Sequence, residues 1–198
     1  MQLSESIWTE KYVTWKLNTK WRPAQTPIAA KMIWQHFKPT SVVDFGCAEG
    51  LYLKVFQGMG CRVVGVEGTD HWMPSLQNNI GNGALKEDLR IPFDLGDRFD
   101  MAMSVEVLEH LEEEYALVAV QNICRHSDLL FITASPKRGG TNHVNPQPKP
   151  YWIERFEAQG FEYREKLTEE MQLWPWPDRL RWLREDLMLF RRNDATVS

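Results

Sequence analysis

The segment Val42 to Gly50, VVDFGCAEG, constrains this 198-residue chain more than any other. A β-branched run ends in an acid, glycines at 46 and 50 bracket a turn, and helix-forming residues follow. The pattern predicts a strand that delivers a tight loop into a helix. Gly46 and Gly50 supply left-handed torsions and close backbone approach, and amides at the helix start offer donors to a ligand. Such a loop belongs at the carboxyl end of an α/β sheet, where ligands collect.

Two ligands compete for it. A dinucleotide fold wants G-x-G-x-x-G with a pyrophosphate on the helix N-terminus. Here Asp44 precedes the first glycine, the third glycine is missing, and Glu49 would face and repel a phosphate. A cofactor with a cationic amino-acid end and no phosphate fits better, as in S-adenosylmethionine. The loop resembles motif I of class I S-adenosylmethionine-dependent methyltransferases, usually D-x-G-x-G-x-G. Ala48 stands in place of the middle glycine, a change that costs little if the residue keeps a negative φ.

The next strand, Cys61 to Gly68, reads CRVVGVEG and carries Glu67 about 20 residues past the glycine loop, the spacing at which an acid meets ribose hydroxyls. Ala84 to Leu89, ALKEDL, gives a third short strand and Asp88, which in the methyltransferase pattern lies near the adenine amino group; capping or a turn is the plainer reading of that acid. Phe99 to Leu111, FDMAMSVEVLEHL, resembles motif IV of the type 11/23-like, E-x-L-E-H group that includes ubiquinone-pathway O-methyltransferases. The resemblance spans roughly residues 41–111. It implies a donor site made by Asp44, Gly46, Cys47, Ala48, Gly50, Glu67, Gly68, Asp88, Leu89, Ser104, Val105 and Glu106.

Alternating strand-like and helix-like segments define the α/β class. Thr26 and Pro27 are read as the cap of a helix with Ile28, Met32, Ile33 and Phe37 on one face, stopped by Pro39. Strands are expected near 41–46, 62–67, 84–87, 98–104 and 128–134, with helices near 50–58, 72–79 and 110–124. Lys149 to Phe161 reads as a helix ending at Gly160, and segments at 161–163 and 186–192 supply a closing hairpin. The resemblance then implies a Rossmann-like, seven-stranded, mostly parallel sheet with helices on both faces and an antiparallel last strand, one methyltransferase domain over 1–198.

Three aromatic or irregular additions decorate that scaffold. Residues 1–25, with Trp8, Tyr12 and Trp15 at helical spacing, read as an amphipathic helix packed on the core, or as a lid. The Gly/Pro-rich stretch 136–150 is too long for a simple connection and reads as an acceptor-side loop. In 168–182, Trp174-Pro175-Trp176-Pro177 reads as a stacking surface for a sugar or base, or as a packed loop or subunit contact.

A net charge of −4 argues against a general nucleic-acid footprint. Cys47, Cys61 and Cys124 form no C-x-x-C pair and read as reduced thiols. No run reaches membrane-spanning length and no leader pattern opens the chain, so a soluble, cytoplasmic protein without a membrane partner is expected.

The acceptor decides the chemistry. The chain lacks the Asn/Asp-Pro-Pro-aromatic segment of amino-directed nucleic-acid methyltransferases and a Pro-Cys nucleophile, which leaves oxygen as the favoured target. A hydroxyl needs a base or a metal ion. Glu106, Glu109 and His110 are expected around one first helical turn, where two carboxylates about 5 Å apart repel by roughly 3 kcal/mol and invite a cation. With His143 or Asn145 completing the set, they suit Mg²⁺, Mn²⁺ or Zn²⁺. Ubiquinone-pathway enzymes and small-RNA 3′-end 2′-O-methyltransferases place a metal on E-x-x-E-H, the latter with a second histidine downstream. Metal-free relatives use similar acids to cap the helix. Without a metal His143 is the leading base, with Glu106 and His110 as its catalytic neighbours; His36, His71 and His126 carry no motif.

The reading is therefore an S-adenosylmethionine-dependent methyltransferase acting on oxygen of a small-molecule or glycan acceptor. A metal-dependent RNA 3′-end 2′-O-methyltransferase and a catalytically silent, cofactor-binding partner subunit are the alternatives.

Overall fold

The computed structural model describes residues 9–138 and 140–193. Trp8 and the rest of the first eight residues of the expected aromatic segment lie outside that range. Helices α1 (Glu10–Leu17) and α2 (Trp21–Phe37) precede a seven-stranded sheet ordered β3-β2-β1-β4-β5-β7-β6. Its strands are β1 (Ser41–Phe45), β2 (Arg62–Glu67), β3 (Ala84–Lys86), β4 (Met101–Val105), β5 (Leu129–Thr133), β6 (Phe161–Tyr163) and β7 (Leu187–Arg192). The first five strands run parallel, and β7 enters antiparallel between β5 and β6. This is the Rossmann-like, seven-stranded, mostly parallel sheet expected from the sequence.

The central strands are apolar on both faces because helices cover both. α2, α3 (Leu51–Gly58) and α4 (Met73–Ile80) pack with α7 (Glu165–Gln172) and α8 (Arg181–Asp186) around one cluster that includes Ile33, Phe56 and Leu183. α5 (Ala116–Arg125) and α6 (Lys149–Glu157) bury Val120, Ile123, Trp152 and Phe156 against the other face.

Three local expectations change. α2 begins at Trp21, five residues before Thr26, and carries Pro27 inside it. Its buried stripe is Thr26, Ala29, Ala30 and Ile33, whereas Ile28 is 50% exposed, because the face packed against α3 is the one that carries small side chains. Lys38 then closes the helix in the left-handed region before Pro39. The helix expected at 110–124 starts only at Ala116; short 3-10 turns at Leu108–His110 and Glu113–Tyr115 precede it. In the 168–182 insertion, Trp176 is buried, donates from Nε1 to Met171 O at 2.7 Å, and stacks with Trp174 at 6.0 Å, so the Trp174–Pro177 stretch packs on its own loop, while Trp182 lines the cavity.

The glycine loop departs from the sequence reading in a more telling way. Gly46 and Gly50 adopt φ of 75° and 71°, and Ala48 also lies at positive φ, 51°. Alanine in that region costs roughly 1–2 kcal/mol, so the missing middle glycine is not free. A Cβ at Gly46 would lie 2.5 Å from Val107 Cγ1. Ala48→Gly should therefore stabilise the protein by about 1 kcal/mol, and Gly46→Ala should destabilise it by more than that. Urea unfolding of the two variants checks the opposite signs.

Candidate active site

The carboxyl ends of β1, β2 and β4, roofed by α1 and the start of α2, enclose a cavity of about 410 Å³. β1 carries Asp44 one residue before its end, β2 ends in Glu67, and the turn after β4 carries Glu106, Glu109 and His110, all lining it. Parallel pairing in register sets these side by side: Asp44 lies opposite Gly65 on β2 and Met103 on β4.

The loop after β1 consumes its own donors. Gly46 N–H and Cys47 N–H donate to Val66 O at 2.8 and 3.3 Å, and Gly50 N–H to Cys47 O at 2.9 Å. Ala48 N–H donates to Glu67 Oε2 at 2.9 Å. Those four loop amides are thus unavailable to a phosphate, which leaves the amides that open α3 at Leu51 as donors to a ligand. Glu49 likewise does not face the cavity; it is buried and paired with Arg22 Nη1 at 2.6 Å.

The carboxylates that do face it are poorly compensated. Asp44 is 3% exposed, its Oδ1 has no hydrogen-bond partner, and burial, helped by the charge of Glu67, pushes its pKa up to about 7. Glu67 is raised by burial although Oε1 also accepts from Thr69 N–H at 2.8 Å. Asp88 differs. Burial works to raise it, but Arg90, whose Nη2 lies 2.9 Å from Oδ2, outweighs that and holds it below its ordinary value.

Glu106 sits at φ 55°, its N–H donating to Thr133 Oγ1 at 3.0 Å, so it is outside the 3-10 turn that holds Glu109 and His110. The expected shared helical turn is thus a tighter arrangement of strand end and 3-10 turn. Burial first, then the charge of Glu109, drives the Glu106 carboxyl well above its ordinary range. Glu109 is fully buried with neither oxygen hydrogen-bonded.

Two histidines face this carboxylate. His110 Nδ1 meets Asn142 O at 2.9 Å and His143 Nδ1 meets Lys137 O at 3.0 Å. A carbonyl accepts only from N–H, so each Nδ1 carries a proton, and a neutral ring then keeps its lone pair on Nε2. Burial lowers the His110 pKa to about 4, which keeps that ring neutral. The rings meet edge to face at 4.9 Å, and His143 Nε2 stands 4.0 Å from Glu109 Oε1. Ligand atoms of Glu109, His110 and His143 all lie within 4.8 Å of one another. Buried, unpartnered carboxylate oxygens beside two oriented imidazoles fit a divalent cation, with the carbonyls of Lys137 and Asn142 as outer supports. Asn145 braces the group from behind, its N–H donating to Glu109 O at 2.9 Å.

Of the donor-site residues named from sequence, Asp44, Gly46, Cys47, Ala48, Glu67, Gly68, Asp88, Leu89, Val105 and Glu106 line the cavity. Gly50 instead caps α3, and Ser104 is buried within β4. Sequence reasoning missed Lys16, Arg22, Thr26, Tyr52 and Trp182, which also line it. Only the helical phase of α1 and α2 brings the first three there. No helix among the described residues is long and apolar enough to cross a membrane.

Residues 17–178 match the family described as a methyltransferase domain. A ubiquinone biosynthesis O-methyltransferase of Ruegeria sp. (strain TM1040) is 24% identical over 129 residues, covering 62% of this chain. The chain spans 49% of that relative's length. Among solved structures, a TehB-like SAM-dependent methyltransferase from Corynebacterium glutamicum matches with a TM-score of 0.64 at 18% identity, covering 85% of this chain and 88% of that one. A complex of the Haloferax volcanii Trm112 methyltransferase activator with a putative methyltransferase matches with a TM-score of 0.65 at 15% identity, covering 92% and 96%.

The Asp44 environment carries a sign that can be measured. Its folded-state pKa, about 7, lies above the ordinary 3.8, so ionising it opposes folding and ligand-free stability falls as pH rises across that window. Asp44→Asn should remove this slope and stabilise the ligand-free protein at pH 8 by roughly 1–3 kcal/mol, read from thermal melts at several pH values.

Proposed function

The chain belongs to the methyltransferase-domain family; on that premise we propose that it is an S-adenosylmethionine-dependent methyltransferase that methylates an oxygen of a small-molecule or sugar-type acceptor, with a divalent cation held by Glu109, His110 and His143 beside Glu106. The observation that carries the reading is the pair of histidines, each with Nδ1 held by a backbone carbonyl, whose ligand atoms lie within 4.8 Å of a buried Glu109 carboxylate that has no hydrogen-bond partner among the described residues. Two imidazoles with carboxylates suit Mn²⁺ or Zn²⁺ ahead of Mg²⁺.

In this reading Glu67 accepts from the ribose hydroxyls, Asp44 balances the positive charge of the donor, and Asp88 lies at the adenine end. Arg22 neutralises Glu49 and, with Tyr52, faces the donor's carboxylate. S-adenosylmethionine supplies the activated methyl group on its sulfonium. A divalent cation supplies Lewis acidity toward the acceptor hydroxyl. Glu106, whose carboxyl burial has made more basic, takes the hydroxyl proton. The protein's task is to hold the acceptor oxygen in line about 3–3.5 Å from the methyl carbon and keep water out.

A second reading rests on His143 joining the E-x-x-E-H segment in space. It is 2′-O-methylation of an RNA end, and the net charge of −4 weighs against it. Chelator-sensitive methyl transfer to an oligoribonucleotide 3′ end would favour it.

Calorimetry with S-adenosylhomocysteine, with and without Mn²⁺, tests the proposal. The native protein should bind the nucleoside at micromolar concentration and show a separate Mn²⁺ binding heat. Glu109→Gln and His143→Asn should lose the Mn²⁺ heat by tenfold or more in affinity while nucleoside affinity stays within about twofold. Absence of Mn²⁺ binding to the native protein would sink the metal site, and absence of nucleoside binding the donor site.

A further inference from the structure

Lys16 is the feature of the cavity that donor and metal leave unexplained. It projects from the last turn of α1 and lines the cavity together with Tyr12, Leu111, Thr141, His143 and Trp182. Its Nζ lies 5.3 Å from the Tyr12 ring centroid and 5.7 Å from that of Trp15. Arg22, the other lysine or arginine on the wall, pairs with Glu49 through Nη1 and is assigned above to the donor's carboxylate, whereas no carboxylate pairs with Lys16 among the described residues. Its charge is felt at His110, where it works with burial against protonation.

An ammonium near a cluster suited to a divalent cation is an unfavourable placement by itself. Like charges repel, and low dielectric strengthens the repulsion. An anion between them reverses the sign. The surrounding wall offers Tyr12, Trp182, Leu111 and Leu180, which favour a flat, partly apolar body over a fully hydroxylated sugar.

Resting on the proposed reading of the site, we infer that the acceptor is a hydroxylated aromatic acid, whose ring lies against Tyr12 and Trp182 and whose carboxylate pairs with Lys16 while its hydroxyl faces Glu109, His110 and His143. Lys16 is then the residue that selects anionic over neutral acceptors. The same ammonium cannot at that moment serve the donor's carboxylate, which falls to Arg22. α1 thereby becomes part of the acceptor site and not merely its cover.

The test uses the full chain saturated with S-adenosylhomocysteine and Mn²⁺, titrated with 3,4-dihydroxybenzoate and with its neutral methyl ester. The native protein should bind the acid at least tenfold more tightly than the ester. Lys16→Met should abolish that preference and Lys16→Arg keep most of it, both with nucleoside affinity within about twofold of native, which also reports that the variants fold. Equal binding of acid and ester, or no binding of the acid, overturns the inference. So does a Lys16→Met variant that loses the nucleoside but keeps the preference, since the lysine then belongs to the donor. Loss of nucleoside binding by the native protein would instead defeat the donor-site reading beneath it.

Discussion

The site is held together where the loop after β1 folds onto the end of β2. Val66 O accepts from both Gly46 and Cys47 N–H, and Glu67, one residue on, accepts from Ala48 N–H. A single strand end thus supplies the acceptors for three successive amides. That tie forces the chain through left-handed torsions at Gly46 and Ala48, leaves Asp44 without a partner on Oδ1, and aims Glu67 inward. Repulsion between Asp44 and Glu67 follows from the same geometry, and a cationic ligand is what relieves it.

The second half of the cavity obeys a different logic. Hydrogen bonds to backbone carbonyls hold Nδ1 of both His110 and His143, which fixes how each ring is turned. That orientation comes from the long loop after β5, whose Asn142 and Lys137 carbonyls reach back to the imidazoles. A loop that looked like irregular chain is the frame that orients two imidazoles.

Much of this was legible in the sequence, for physical reasons. Strands β1, β2, β4 and β5 are continuous apolar runs because both faces are covered, and the acids at their ends stand out against that background. Seven strands and the antiparallel insertion of β7 agree with expectation, and Glu109, His110 and His143 lie together, without Glu106 in that group. The start of α2 was missed because Thr26-Pro27 mimics a helix cap, while the helix tolerates Pro27 internally. Ala48 at positive φ was missed because torsions at a non-glycine residue are set by tertiary ties, not by local preference. Lys16, Arg22 and Trp182 were invisible as site residues because each lies far along the chain from any motif and reaches the cavity only through packing.

Ala48, Glu106 and Asn142 are three of the four non-glycine residues at positive φ among the described residues, and each touches the cavity or orients a group within it. The central strands beneath them are paired on both sides. Strain is therefore concentrated in one layer, at the rim where strand becomes loop, and the two layers differ in how readily they open. On warming, amides of the rim should exchange with solvent well before those of β1 and β4, so that the protein loses its ability to recognise ligands while its sheet is still intact. A bound ligand, by closing that gap, would act as the missing part of the fold.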